Sequence, residues 1–397
     1  VGNSVRNSKE VTSKILQENI VTKQLSEVLA VEKDKVFKRL VNKKGQEIYE
    51  DVPTVTTDLK QIILENLPKD IPYAGDKGIK FDDVISGSYS TRDFVAQLSP
   101  QELDDLSHGE GQMNSALGII GNAGAFGGVT ESLRNKGIPP IITADGPSGI
   151  RIRKTCSLLP CGTALASSFN KELITELYSV LGEEVKHYEI DVLLAPGMNI
   201  HRNPLCGRNF EYFSEDPLLS GYIGAAIVKG LQSVGVSACP KHFAVNNQER
   251  NRNSHDSRIS ERALREIYLK NFEYMIKESN PDTIMASYNK VNGVWSHYSY
   301  ELATSILRKE WNYEGLILTD WWMQSDSSPE FPAIINDAYR IRSQVDVLMP
   351  GADNKMPGKK IGRHLLDTYK KPEGITLGEM QLVAINLLEF ILKIKKP

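Results

Sequence analysis

From about residue 115 onward, short apolar runs alternate with stretches of helical periodicity. The runs lie at 140–145, 192–197, 236–242, 283–288, 316–320 and 345–350, and 117–121 reads as a seventh. Their hydrophobicity is nearly continuous, which is the pattern of strands buried on both faces of a helix-covered parallel sheet. The intervening helices carry start signals. Asn170 is placed to cap a helix over 171–187, with Phe169 and Ile174 as a hydrophobic staple, and Ser260 to cap one over 261–278, with Ile259 and Leu264 in the same relation. A last helix is predicted over 377–394. Upstream the pattern is weaker. An alternating run around Ile20 to Leu25 predicts an edge strand, 59–67 is amphipathic, and 91–106 has helical spacing broken by a turn at Ser99 and Pro100. Repeated βα units at this spacing predict an α/β fold of the (β/α)8, TIM-like barrel kind. An open doubly wound sheet fits less well. Its dinucleotide fingerprint is absent, since Gly124 to Gly128 comes nearest but has neither the glycine spacing nor a matching acidic residue downstream.

Composition narrows the picture. At 397 residues with 40% apolar and 24% charged positions, a large core is expected and wholesale disorder is excluded. The net charge of −3 argues against nucleic acid or an anionic membrane as partner. Cys156, Cys161, Cys206 and Cys239 are scattered, without metal-ligand spacing, so reduced thiols and a cytoplasmic setting are expected. No metal or other cofactor is implied, and no run is long enough for a membrane span.

In a barrel of this kind the C-terminal strand ends build the active site. Those ends carry Asp145; Asn199, His201 and Arg208; Lys241 and His242; Ser287 and Tyr288; and Asp320, Trp321 and Trp322. Carboxylates and basic groups hydrogen-bond hydroxyls, indoles present flat apolar faces to a sugar ring, and one aspartate can attack an anomeric carbon. Each residue also has a plainer reading. Asp145 before Gly146 and Pro147 suits a turn, Arg208 suits an ion pair with Glu211 or Glu215, and one tryptophan suits simple core packing. Lys241 suits a structural ion pair or the Schiff base of an aldolase. Their coincidence at strand ends favours the sugar site.

Several stretches resemble glycoside hydrolase family 3, in its β-glucosidase branch. They are DGPSGIR (145–151), LLAPGMNIHRNPLCGRNFEYFSEDP (193–217), KHFAVNNQE (241–249), SERALREIY (260–268), MASYN (285–289) and TDWW (319–322), and the likeness covers roughly 110–350. The resemblance implies hydrolysis of terminal non-reducing β-D-glucosyl residues by a retaining double displacement. Asp320 matches the family's nucleophile. Asp145, Arg208, Lys241 and His242 match groups that bind the hydroxyls of the sugar being removed. Met285 and Tyr288 match residues lining that subsite, and Trp321 one at its rim towards the aglycone. β-Glucosides or cello-oligosaccharides are the implied substrates, and a β-xylosidase remains a related alternative.

A retaining glycosidase needs a second carboxyl group about 5–5.5 Å from the nucleophile. In this branch it is a glutamate of an α/β-sandwich domain. Residues 1–9, VGNSVRNSK, resemble the end of a fibronectin type III-like module, and some members have reversed domain order. The resemblance therefore implies the end of a fibronectin type III-like β-sandwich at 1–29, a linker at 30–105 and the barrel at 106–397. The acid/base glutamate would come from a domain or second chain outside this sequence, and the alternative reading is a chain that by itself only binds sugar or serves assembly. The N-acetylhexosaminidase branch uses a His–Asp pair after the Lys-His-Phe strand, and His255 and Asp256 stand there. The glycine-rich sequence that accompanies the pair in that branch is replaced by Ala244, Val245, Asn246 and Asn247.

Overall fold

The structure, a computed structural model, describes residues 38–41, 47–50, 58–110, 113–323, 328–335, 337–351, 355–356, 359–360 and 364–395. The edge strand expected around Ile20 to Leu25 and the module expected at 1–29 lie outside these residues. An antiparallel hairpin, β1 (Lys38–Val41) and β2 (Glu47–Glu50), precedes four short helices. These are α1 (Leu59–Glu65), α2 (Phe81–Ile85), α3 (Thr91–Ala96) and α4 (Pro100–Leu106). Ser90 and Ser99 start α3 and α4 as reciprocal capping boxes with Asp93 and Glu102, which is why the helical spacing at 91–106 breaks in two.

β3 (Gly124–Gly127) pairs antiparallel with β4 (Pro140–Asp145). From β4 onward the order is parallel, through β5 (Val192–Leu194) to β6 (Ser237–Ala238), and from β7 (Lys241–Phe243) through β9 (Thr283–Ala286) to β12 (Leu316–Leu318), while β8 (Asp256–Ser257), β10 (Lys290–Val291) and β11 (Val294–Trp295) pair in a small sheet of their own. A parallel bridge between Gly197 and Lys241 joins the two groups. Beyond β12, Leu318 bridges Val347, Leu348 bridges His108, and the Glu110 N–H donates to the Ala125 carbonyl of β3 at 2.9 Å. Two expectations need correction. The run at 117–121 is a turn, because Asn122 accepts from the Ser115 N–H and donates to the Ser115 and Ile119 carbonyls, and Asn114 accepts from Gly121. The strand is instead Gly124–Gly127, the segment whose glycines suggested only a poor nucleotide motif. The run at 345–350 contributes isolated bridges at Val347 and Leu348 rather than a ladder.

After the short α5 (Glu131–Asn135) and α6 (Gly162–Ser167), the helix over Lys171–His187 (α7) forms as predicted, with the Asn170 carboxamide oxygen accepting from the Leu173 N–H at 3.0 Å. Its buried stripe of Ile174, Tyr178, Leu181 and Val185 packs on α8 (Pro217–Ser233). Gly230 permits the close approach, since a Cβ there would sit 2.5 Å from the Thr175 carbonyl oxygen. The helix begun by Ser260, α9 (Glu261–Ala263), passes into a π-helical stretch, Leu264–Tyr268, before α10 (Lys270–Ser279), and stops at Asn280 in the left-handed conformation. α10 crosses α8, with Phe272 edge-on to Phe243 of β7 at 5.3 Å. On the other side, α12 (Leu377–Lys395) packs Met380, Leu387 and Ile391 with Phe94, Leu103 and Leu106 of α3 and α4 and with Leu316 and Leu318 of β12. The described part of 30–105 thus supplies a share of the core.

Candidate active site

The C-terminal ends of the parallel strands open into one cavity of about 360 Å³. Asp145, Arg208, Lys241, His242, Met285, Tyr288, Asp320 and Trp321, all named from the sequence, line it together. Asp145 ends β4. Its carbonyl accepts from the Arg151 N–H at 2.8 Å, so it does start a turn, while its carboxylate takes Lys241 Nζ at 2.6 Å and Arg151 Nη1 at 3.1 Å. Burial pushes this carboxyl up, but Lys241, Arg151 and Arg208 outweigh it and hold Asp145 below the ordinary carboxylate range. Lys241 is buried and its Nζ is engaged by the Asp145 carboxylate, as the ion-pair reading expects.

His242 is fixed through its backbone, because Asn199 accepts from its N–H and donates to its carbonyl, each at 2.9 Å. Its Nδ1 meets the Tyr212 hydroxyl at 3.2 Å, and its Nε2 lies 3.7 Å from Asp320 Oδ2. Burial, with Arg208, Lys241 and Arg252 nearby, drives its pKa well below the usual histidine value, so the ring is neutral at pH 7. Asp320 follows β12, and its Oδ1 accepts from the Trp321 N–H at 2.7 Å. Burial raises the Asp320 carboxyl, against the opposing pull of Arg208, Lys241, the Trp321 N–H and Arg252. Trp321 is a buried wall of the cavity, its indole N–H donating to the Ala123 carbonyl at 2.7 Å and its own carbonyl accepting from the Tyr288 hydroxyl at 2.8 Å.

Arg208 is held by Glu211 Oε1, at 2.8 Å from Nε and 2.6 Å from Nη2, so the ion-pair reading holds for Glu211. The ion pair and the cavity position coexist. Sequence reasoning gave no role to Arg151, Glu249 or Arg252, which also line the cavity. Arg252 places its guanidinium 4.5 Å from the centre of the Tyr288 ring. The signal was slight, since Arg151 and Glu249 sit inside recognised stretches and Arg252 three residues past one. His255 and Asp256 are not among the lining residues, and Asp256 is occupied by Arg258 at 2.7 Å and the Gly293 N–H at 2.9 Å. Among the described residues no group of three His, Cys, Asp or Glu side chains is placed to hold a metal ion, and no helix is long and apolar enough to cross a membrane.

The sequence profile of the Glycosyl hydrolase family 3 N terminal domain matches residues 127–361. A beta-glucosidase of Ruminococcus albus is 44% identical over 394 residues, covering 98% of this chain and 41% of that protein. The crystal structure of a beta-glucosidase from Paenibacillus barengoltzii superposes with a TM-score of 0.86 at 41% identity, over 98% of this chain and 44% of that one. Beta-glucosidase 3B from Thermotoga neapolitana, solved in complex with glucose, gives a TM-score of 0.67 at 38% identity, over 76% of this chain and 42% of that one. The chain therefore spans about two fifths of the length of these relatives.

Proposed function

The chain belongs to glycosyl hydrolase family 3, and from that premise we propose that it is the sugar-binding, nucleophile-bearing portion of a retaining β-glucosidase. We read the succession of ladders and bridges from β3 round to His108 and Glu110 as a closed barrel, with the cavity at its C-terminal mouth. The observation that carries the proposal is Asp320: a buried carboxylate, oriented by the Trp321 N–H, facing a cavity whose other side holds the Asp145–Lys241 pair.

In this reading a terminal glucosyl unit fills the cavity. Asp145 accepts hydrogen bonds from its hydroxyls, Lys241, Arg208 and neutral His242 exchange hydrogen bonds with them, and Met285, Tyr288 and Trp321 pack against the ring. The ionised Asp320 Oδ2 attacks C1, the C1–O bond to the aglycone breaks, and a glycosyl-enzyme ester forms. Water then attacks C1 and releases glucose with Asp320 restored. The attack requires the carboxylate form, and the basic groups around Asp320 favour that form against its burial.

The departing oxygen needs a proton. Apart from Asp320, the carboxylates lining the cavity are engaged with cations: Asp145 with Lys241 and Arg151, Glu211 with Arg208, and Glu249 with Arg252. We therefore assign the acid/base glutamate to another domain or chain, with 1–29 the end of a fibronectin type III-like module and 30–105 its connection to the barrel. The test is leaving-group dependence. The chain alone is expected to cleave 2,4-dinitrophenyl β-glucoside slowly and alkyl β-glucosides not at all, and the rest of the enzyme to restore the latter. Equal rates on alkyl glucosides with and without that addition would place the acid within these 397 residues.

A further inference from the structure

Four carboxylates, Asp145, Glu211, Glu249 and Asp320, line the cavity among Arg151, Arg208, Lys241 and Arg252, with His242 beside them. Glu249 makes no contact with Asp320 or Asp145 that would give it a part in the chemistry above, yet it joins three walls of the site. Its Oε2 accepts from Arg252 Nη1 at 3.1 Å, and its Oε1 accepts from Asn246 Nδ2 at 3.3 Å and lies 3.9 Å from Arg208 Nη1. Asn246 donates in turn to the Tyr212 hydroxyl at 3.4 Å, which meets His242. Arg252 leans on the Tyr288 ring, whose hydroxyl holds the Trp321 carbonyl beside the Asp320 carboxylate.

Two guanidinium groups converging on one cavity repel each other, and a carboxylate between them removes that cost. Arg208 has a second anchor in Glu211, whereas Arg252 is held by Glu249 and the face of Tyr288. A long side chain without such an anchor samples many rotamers, and a ligand that uses it must bear the loss of that freedom on binding.

We propose that Glu249 is a positioning residue, which spaces Arg208 and Arg252 and presents Arg252 to a bound sugar without touching the sugar itself. This rests on the reading that the cavity takes a glucosyl unit.

Calorimetric titration of glucose and of 1-deoxynojirimycin into the 397-residue chain tests it, using wild type, E249A, E249Q, R252A and E249A/R252A. E249A is expected to weaken both ligands about tenfold, as befits a lost hydrogen bond to a charged group. E249Q, which keeps an acceptor for Arg252, stays within about threefold of wild type on the same scale. Because Glu249 acts through Arg252, the double variant binds no more weakly than R252A alone. An E249A chain that binds as wild type does, or losses that multiply in the double variant, would overturn the inference and leave the glucosyl reading standing. If E249A does not fold, as its melting temperature reports, E249D, whose shorter side chain withdraws the carboxylate from Arg252, takes its place, and E249D against wild type and E249D/R252A against R252A decide by the same rule. A wild-type chain that binds neither ligand overturns the glucosyl reading, and this inference with it.

Discussion

Two buried charged clusters in this molecule use the same residue types to opposite ends. One lines the cavity, with His242, Asp145, Asp320, Arg208 and Lys241. The other is packed shut between α4 and α11 (Asp337–Arg342). There, His108 Nδ1 lies 3.2 Å from Asp104 Oδ1, and its Nε2 lies 3.3 Å from Asp337 Oδ2. Arg340 donates to Asp337 at 3.1 Å and to His297 Nδ1 at 3.1 Å. Both histidines are about 1% exposed, yet their protons behave oppositely. Burial lowers the pKa of each. His108 faces two carboxylates, which overcome burial and push it up to about 9. His242 faces cations, which add to burial, and it stays neutral. In the closed cluster the His108 charge in turn presses Asp337 down to about 2 against its own burial, so charges are matched in pairs. In the cavity Asp320 is left raised, its carboxyl lining open space rather than closed into a matched pair. Burial alone does not mark a site; an unmatched charge facing a void does.

The sharpest way to break this contrast is to neutralise the unmatched charge. D320N is expected to lower hydrolysis of aryl β-glucosides by the complete enzyme on the order of 10⁴-fold or more, as loss of a nucleophile does elsewhere. It should not lower the melting temperature at pH 7, because ionising Asp320 in the fold is itself unfavourable. A destabilised D320N would show that the two clusters are alike after all.

Next in size is the closed cluster. H108Q takes the cation from between two buried carboxylates, Asp104 and Asp337, and should cost about 3–5 kcal/mol in urea unfolding. The sign of its pH dependence follows from the raised value. The stabilisation is complete below the unfolded pKa near 6.5 and disappears as the pH rises through about 9. H108Q should therefore flatten the alkaline limb of the stability profile. An unchanged limb would assign it to other groups.

A smaller effect is expected from D145N, which should weaken glucose binding by calorimetry about ten- to a hundredfold, the range for hydrogen bonds to a charged acceptor. Smallest is the acid limb. Native His242 resists protonation, while the unfolded chain takes up that proton below about 6.5. Stability therefore falls as the pH drops below that point, and H242Q should lessen the slope. A slope that H242Q leaves unaltered would mean that His242 is not the neutral member of the pair.

The legible part of the site is the part that lies on strands. A buried strand is apolar until it reaches its mouth, so Asp145, Lys241, His242 and Asp320 stand out as the first polar residues after apolar runs. The helices α7 and α12 are equally plain, α7 with its Asn170 cap as well as its apolar stripe. Glu249 and Arg252 were not, because they sit in the loop after β7 and reach the cavity by a path that periodicity does not encode. The turn at 117–121 imitates a strand, being apolar along its length, and it is Asn114 and Asn122 that bend it. The helices of 59–106 look like connecting chain because each is too short for a clear stripe. Only the packing of Phe94, Leu103 and Leu106 with α12 reveals them as core.

The most direct test of the account is covalent trapping on the chain alone with 2-deoxy-2-fluoro-β-glucosyl fluoride, followed by peptide mass spectrometry. Fluoride leaves without a proton, so the proposed acid of another domain is not needed for this reagent, and the 2-fluoro group slows release of the ester. The account predicts a single 2-fluoroglucosyl label on the peptide containing Asp320, absent in D320N. A label on any other residue, or an unlabelled chain that nonetheless binds glucose, would contradict it.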